Sequence, residues 1–358
     1  MTADPESYFP ADYRRARRAF IAACESRGLD AIARVAPGVS GPDGKPLFLD
    51  TVALGPRTAT RALLLISGTH GVEGYFGSGV QTGLLREGVT PPDNTRLVMI
   101  HALNPFGFAW NRRVNEDNVD LNRNFVDHAE PPANPGYDAL AAAIAPRDIS
   151  DDGFARADAV LQAFAREHGA EAWQAAISAG QYSHPDGLFY GGRRGAWSAE
   201  ALKAVLTEDL SKVTALVAMD FHTGLGESGA GEMIIEAAPG DPAFARARAI
   251  WGAMAVSEAA GESHSAPLTG TLDQGLAALL PGVELTHGVL EMGTVPRDAM
   301  LRALRLANWQ DHFAPDGARA AEIARAMRDA FYTDTPAWKR TVWEKARICV
   351  TAALAALA

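Results

Sequence analysis

Five short stretches of the chain are apolar almost without interruption. They are Arg61–Ser67 (RALLLIS), 96–102 (RLVMIHA), 213–219 (VTALVAM), 232–236 (EMIIE) and 288–291 (GVLE). A strand with one wet face alternates polar and apolar residues, whereas a strand covered on both faces does not. The runs therefore predict strands buried inside a layered protein. Around them lie alanine-rich patterns of helical period, over 12–27, 76–86, 137–145, 154–168, 170–179, 199–206, 242–258, Arg297–Phe313 and 317–331. Strand and helix in alternation predict an α/β fold with a mixed, largely parallel central sheet flanked by helices. No repeat is present, and EPPANPG (130–136) and GLGESGAG (224–231) read as loops rather than boundaries. One domain over 1–358 follows, with a helical extension at about 10–30 and terminal helices over about 297–358.

In such sheets functional residues gather at the carboxyl ends of the strands. Three segments stand at places of that kind: His70-Gly-Val-Glu73, Asp220-Phe-His222-Thr-Gly224 and Glu291-Met-Gly-Thr294. Zinc takes imidazole nitrogen and carboxylate oxygen, and a catalytic site supplies three protein ligands and keeps one position open. His70 and Glu73 form a close pair, and His222 is a fitting third ligand from a distant strand. Asp220, two residues earlier, is placed to orient its imidazole. Taken alone, an HxxE or a DxH is as readily a solvated loop. His101, His128, His168, His184, His264, His287 and His312 have no comparable context and are expected on the surface or satisfied in the core, with His101 packed. Gly68 and Gly71 are expected to turn the chain tightly so that His70 and Glu73 share one cleft.

Composition removes other function classes. The net charge is −10 and no basic run exists, which disfavours nucleic acid as a partner. Cys24 and Cys349 are the only cysteines and no CxxC occurs, so neither a disulfide framework nor a thiolate metal site is expected. The N-terminal stretch MTADPESYFPADYRRARRAF lacks the apolar core of a signal peptide. The longest apolar run, 348–358, is too short for the roughly 20 residues of a bilayer span. A cytoplasmic protein without membrane attachment is the expectation.

The segment 103–125, LNPFGFAWNRRVNEDNVDLNRNF, changes the weight of these pieces. The order HxxE, Asn104-Pro-Phe-Gly107, an arginine, Asp120-Leu-Asn-Arg-Asn-Phe125, a distant DxH and a late glutamate resembles the zinc carboxypeptidase family of metallopeptidases. The GTHGVEG and FHTG forms place it near the succinylglutamate desuccinylase and aspartoacylase branch. The resemblance covers about 63–294. It implies a zinc-dependent hydrolase that cleaves an amide or peptide bond by metal-activated water, with one Zn2+ held by His70, Glu73 and His222. It also implies Glu291 as general base and then general acid, and Arg113 as the group that polarises the scissile carbonyl. Arg112 is its neighbour, and a shift of one residue between them stays open. Asn122 and Arg123 are implied to hold a substrate carboxylate, and the partner is then a small molecule or short peptide with a free carboxylate.

One departure limits the likeness. The digestive carboxypeptidases carry a substrate-covering tyrosine between the third ligand and the late glutamate, and 223–290 contains none. An N-acyl amino acid deacylase of the aspartoacylase type is therefore an alternative to a peptidase. A catalytically inactive binding protein of the same fold would be expected to have lost a ligand or the base, and a serine esterase lacks a GxSxG. The stretch 181–192 is expected to help shape the pocket.

Overall fold

Burial in the computed structural model, which describes residues 4–358, explains the unbroken apolar runs. Residues 1–3 of the N-terminal stretch considered above lie outside the described residues. The described residues form eight strands, β1 (Ile32–Ser40), β2 (Pro46–Leu54), β3 (Arg61–Ser67), β4 (Thr95–His101), β5 (Ala215–Gly224), β6 (Gly231–Ile235), β7 (Ala255–Ser257) and β8 (Glu284–Gly293). They form one sheet in the order β1-β2-β4-β3-β5-β8-β6-β7. The middle, β4-β3-β5-β8, is parallel; β2 runs antiparallel to both β1 and β4, and β6 runs antiparallel to β8 but parallel to β7. The fold is thus α/β with a mixed, mostly parallel sheet, as the alternation of patterns predicts.

Alternate residues of each central strand feed two cores. Leu63, Leu65, Leu97, Met99, Val217, Met219 and Phe221 pack on one face with Phe76, Val80 and Trp343. Leu64, Ile66, Val98, Ile100, Leu216 and Ala218 pack on the other with Leu202, Val205 and Leu276. A period of two is thereby hidden, because both faces of the pleat are dry. A third core joins Tyr137, Leu140, Ile144, Leu304 and Phe331 from helices beyond the sheet's carboxyl edge. It walls the space above that edge.

The helix Tyr13–Glu25 lies within the expected N-terminal extension, and after it β1 and β2 form a hairpin that extends the sheet and that no pattern in the chain predicted. Two expectations need correction. The helix expected over 242–258 stops at Trp251, because the chain turns at Gly252 with φ +58° and continues as β7. The helix read as 76–86 begins at Gly74, directly behind Glu73. Among the described residues no helix is long and apolar enough to cross a membrane.

Candidate metal centre and active site

Strand β5 carries Asp220 and His222 on one parity. Leu216 and Ala218 are covered by helices, and two and four residues further along the same face are Asp220 and His222. There the helical cover ends and the face opens into a cavity. In the parallel pair β5/β8, His222 stands opposite Glu291. The strand register alone brings the distant DxH and the late glutamate together.

His70 and Glu73 reach the same point from the end of β3. Gly68 adopts φ +68°, a left-handed turn that favours glycine, and the chain then closes a short helical turn over Gly71–Glu73. Gly71 serves a different purpose from the one expected. A Cβ there would lie 2.1 Å from the backbone carbon of Gly107, so its lack of a side chain admits the helix Pro105–Trp110. Gly71 and Val72 donate their N–H groups to the carbonyls of Arg113 and Arg112 at 3.1 and 2.9 Å. The turn that presents the ligand pair is thus tied to the loop that presents the arginine.

The ligand-competent atoms of His70, Glu73 and His222 all lie within 4.8 Å of one another, and all three residues are buried. Glu73 Oε1 is 3.0 Å from His70 Nδ1 and its Oε2 is 3.3 Å from His222 Nδ1. The other imidazole nitrogens face aspartates. His70 Nε2 is 3.1 Å from Asp120 Oδ1, and His222 Nε2 is 2.6 Å from Asp220 Oδ2. Asp220 is itself held by the Thr69 hydroxyl at 2.9 Å. Both rings therefore turn Nδ1 towards Glu73, and His70 Nδ1, buried and 3.0 Å from that carboxylate, makes no well-aligned hydrogen bond to it. A buried nitrogen without a well-aligned hydrogen bond is costly in an apoprotein, and a carboxylate behind the opposite nitrogen is the arrangement that orients metal-ligating histidine. The donor set, two imidazoles and one carboxylate, fits a divalent ion such as zinc.

Charge distribution agrees with that fit. Burial would raise the Glu73 carboxyl, but His70 and His222 hold it far below its usual range. Asp120 is likewise held low against burial by Arg113 and His70. His222 is raised, because Asp220 and Glu73 outweigh the burial that disfavours its charge. Glu291 goes the other way. Burial, and then the nearby Glu73 carboxylate, push it up to about 8, against His222, the Leu225 N–H and Arg113. Its Oε1 accepts that N–H at 2.9 Å.

Arg113, not Arg112, faces this centre. Arg113 Nη1 donates to Glu73 Oε1 and Nε to Asp120 Oδ2, both at 3.0 Å. Arg112 pairs with Asp311 at 2.6 Å and stacks on Phe106, on a different side. Asn122 and Arg123 line the same cavity. Arg123 gives Nε and Nη2 to the Ser178 carbonyl and Nη1 to the Asn122 carbonyl. A guanidinium has five N–H groups, so two remain for a ligand. Asn122 Oδ1 accepts from Leu272 N at 2.8 Å, which turns its amide NH2 outward.

The structure thus brings together every candidate residue read from the sequence: His70, Glu73, His222, Glu291, Arg113, Asn122 and Arg123 all line one cavity. The sequence reading missed Asp120 as the partner of His70, although it begins the most specific motif. A carboxylate opening that motif, when the candidate ligand His70 had no orienting acid assigned as Asp220 was to His222, was the available signal. It also missed Glu236 and Glu258 in the lining. Of the stretch 181–192, Phe189 lines the cavity while its neighbours brace the turn at 120–124. His101 packs as expected, stacked on Phe20 and bonded to Ser78.

Comparison with known proteins places the chain. A family model described as "Protein of unknown function (DUF2817)" matches residues 9–345. The chain belongs to the DUF2817 family. No curated protein matches this DUF2817 chain. Among solved structures, bovine thrombin-activatable fibrinolysis inhibitor, in complex with tick carboxypeptidase inhibitor, is 11% identical over 98% of each chain, with a TM-score of 0.53. The two share a fold, and the shared path includes the N-terminal hairpin that the motifs alone left outside. Carboxypeptidase A from Helicoverpa armigera is 12% identical over 96% of this chain and 73% of its own, with a TM-score of 0.46. A succinylglutamate desuccinylase/aspartoacylase from Rhodobacter sphaeroides is 18% identical over 79% and 65%, with a TM-score of 0.37.

Proposed function

We propose that this protein is a zinc-dependent hydrolase that cleaves an amide or peptide bond in a substrate bearing a free carboxylate. The observation that carries the reading is the pair of histidines, each backed by a buried aspartate through Nε2 and each turning Nδ1 to Glu73, with Glu291 in register beside His222. His70, Glu73 and His222 would hold one zinc ion, which when bound supplies a Lewis acid and makes water acidic enough to attack at neutral pH.

The chain's own residues supply the rest. Glu291, raised by burial and by Glu73, takes a proton from the attacking water and returns it to the leaving nitrogen. A carboxyl poised near working pH suits both halves of that exchange. Arg113, locked by Asp120, directs N–H groups at the oxygen on which negative charge develops. Arg123 and Asn122 bind the substrate carboxylate with the two free guanidinium N–H groups and the outward amide. The turn of Gly71–Glu73 excludes water from beneath, since it is buried throughout.

Exopeptidase and N-acyl amino acid deacylase chemistry use this same constellation, and the choice between them lies in the leaving and acyl groups. A library of short peptides and N-acyl amino acids, each with a free and an esterified carboxylate, tests the proposal on zinc-loaded protein. Hydrolysis that requires the free carboxylate and stops with a chelator is expected. Chelator-insensitive turnover, or metal binding with no hydrolysis of any member, overturns it; the second outcome describes a binding protein.

A further inference from the structure

Phe189 is an outlier. Its backbone φ is +55°, in the left-handed region that bulky residues rarely occupy. Of the five non-glycine residues with positive φ among those described, three are asparagine, which tolerates it, and Phe189 has the largest side chain. Strain of this kind persists where the surroundings enforce it, and it concentrates at functional sites. Here the enforcement is visible. The Phe189 carbonyl accepts from Gln181 N at 3.2 Å, the Leu188 carbonyl from Gln181 Nε2 at 3.2 Å, and the Tyr190 carbonyl from Asp120 N at 2.8 Å. Residues on both sides are pinned, and the left-handed step aims the ring into the cavity.

The ring meets two cations there. Arg113 Cζ lies over it at 5.5 Å from the centroid and Arg123 Cζ at 5.8 Å. Phe189 is 8% exposed and lines the cavity. Two buried guanidinium groups repel each other and lose hydration, and an aromatic face offsets both effects. We propose that Phe189 is a positioning residue whose single ring, held by a left-handed backbone, contacts both Arg113 and Arg123 and screens them from water so that both keep fixed aims. The consequence for binding rests on the hydrolase reading above, in which these arginines address the scissile carbonyl and the carboxylate of one substrate. The screening itself does not.

The test uses zinc-loaded protein and the variants F189L, F189G and F189Y. Solvent exchange of the Arg113 and Arg123 Nε–H groups, assigned with R113K and R123K, reads the screening without any substrate. Calorimetric titration with N-acetylglycine reads carboxylate binding. Exchange at both arginines at least tenfold faster in F189L and F189G, and within twofold of wild type in F189Y, is expected, with a parallel tenfold loss of affinity in the first two. F189G, which relaxes the backbone, is expected to melt at or above F189L. A packing role alone would lower the melting temperature and leave exchange in the folded protein unchanged. Unchanged exchange in F189L and F189G overturns the proposal. A wild type that ignores N-acetylglycine while exchange behaves as stated upholds the screening and counts against the carboxylate reading instead.

Discussion

His222 and Glu291 are register partners in the parallel pair of β5 and β8. One step of backbone pairing therefore delivers a metal-competent imidazole and a buried, proton-retaining acid to one point. Neither position depends on a flexible loop. E291Q should keep this geometry and the metal while removing the proton carrier. Turnover is expected to fall about 10²- to 10⁴-fold, the range that a positioned acid–base contributes. Steady-state kinetics with metal content by elemental analysis checks it, and loss of metal together with activity would point to a structural role for Glu291.

Asp120 joins the two halves of the site, one oxygen to His70 and the other to Arg113. D120N should weaken zinc affinity by about 10- to 100-fold, as expected when the group behind a ligating histidine is altered. Competition with a chromophoric chelator measures this. D220N should act similarly through His222.

R113K and R112K separate two neighbours that differ in where they point. Arg113 bonds Glu73 and Asp120, whereas Arg112 bonds Asp311. Loss of the first guanidinium is expected to lower kcat about 10²- to 10³-fold, the scale for removing one oxyanion donor. R112K should leave kcat within a few-fold of wild type.

Stability should respond to pH from two groups outside the metal centre, the buried His101 and the half-buried Glu236. Burial, and then the Arg17 charge, lower His101 from 6.5 to about 3. The unfolded chain takes up the proton first, so this contribution is present above about pH 6.5 and is lost as pH falls towards 3. Glu236 has the opposite sign. Burial, and then Asp273, raise it from 4.5 to about 8, so the folded state keeps a proton that the unfolded chain releases. Its contribution is complete below about pH 4.5 and is lost as pH rises to about 8. Denaturant melts across pH should show the alkaline decline flattened in E236Q and the acid decline flattened in H101Q.

Much of this was legible in the chain, for reasons particular to each element. Runs such as RALLLIS could be recognised because a strand dry on both faces leaves no alternation to misread. Strand β1 escaped because it is an edge strand, largely exposed, with Pro37, Gly38 and a break in register between Val35 and Ser40. Strand β7 escaped because its three residues continue an alanine-rich helical pattern that only Gly252 interrupts. At the site, His70 and Glu73 could be read because only two residues, Gly71 and Val72, separate them. The link of Asp120 to His70, and of Phe189 to two arginines, depends on loops that meet only in the folded chain.

The central claim is tested most directly by anomalous X-ray scattering at the zinc edge from crystals of protein purified without added chelator. The account predicts one peak between His70 Nδ1, His222 Nδ1 and the Glu73 carboxylate, with bonds of about 2.0–2.2 Å. A protein that takes up no ion, or an ion seated away from these three side chains, would contradict it.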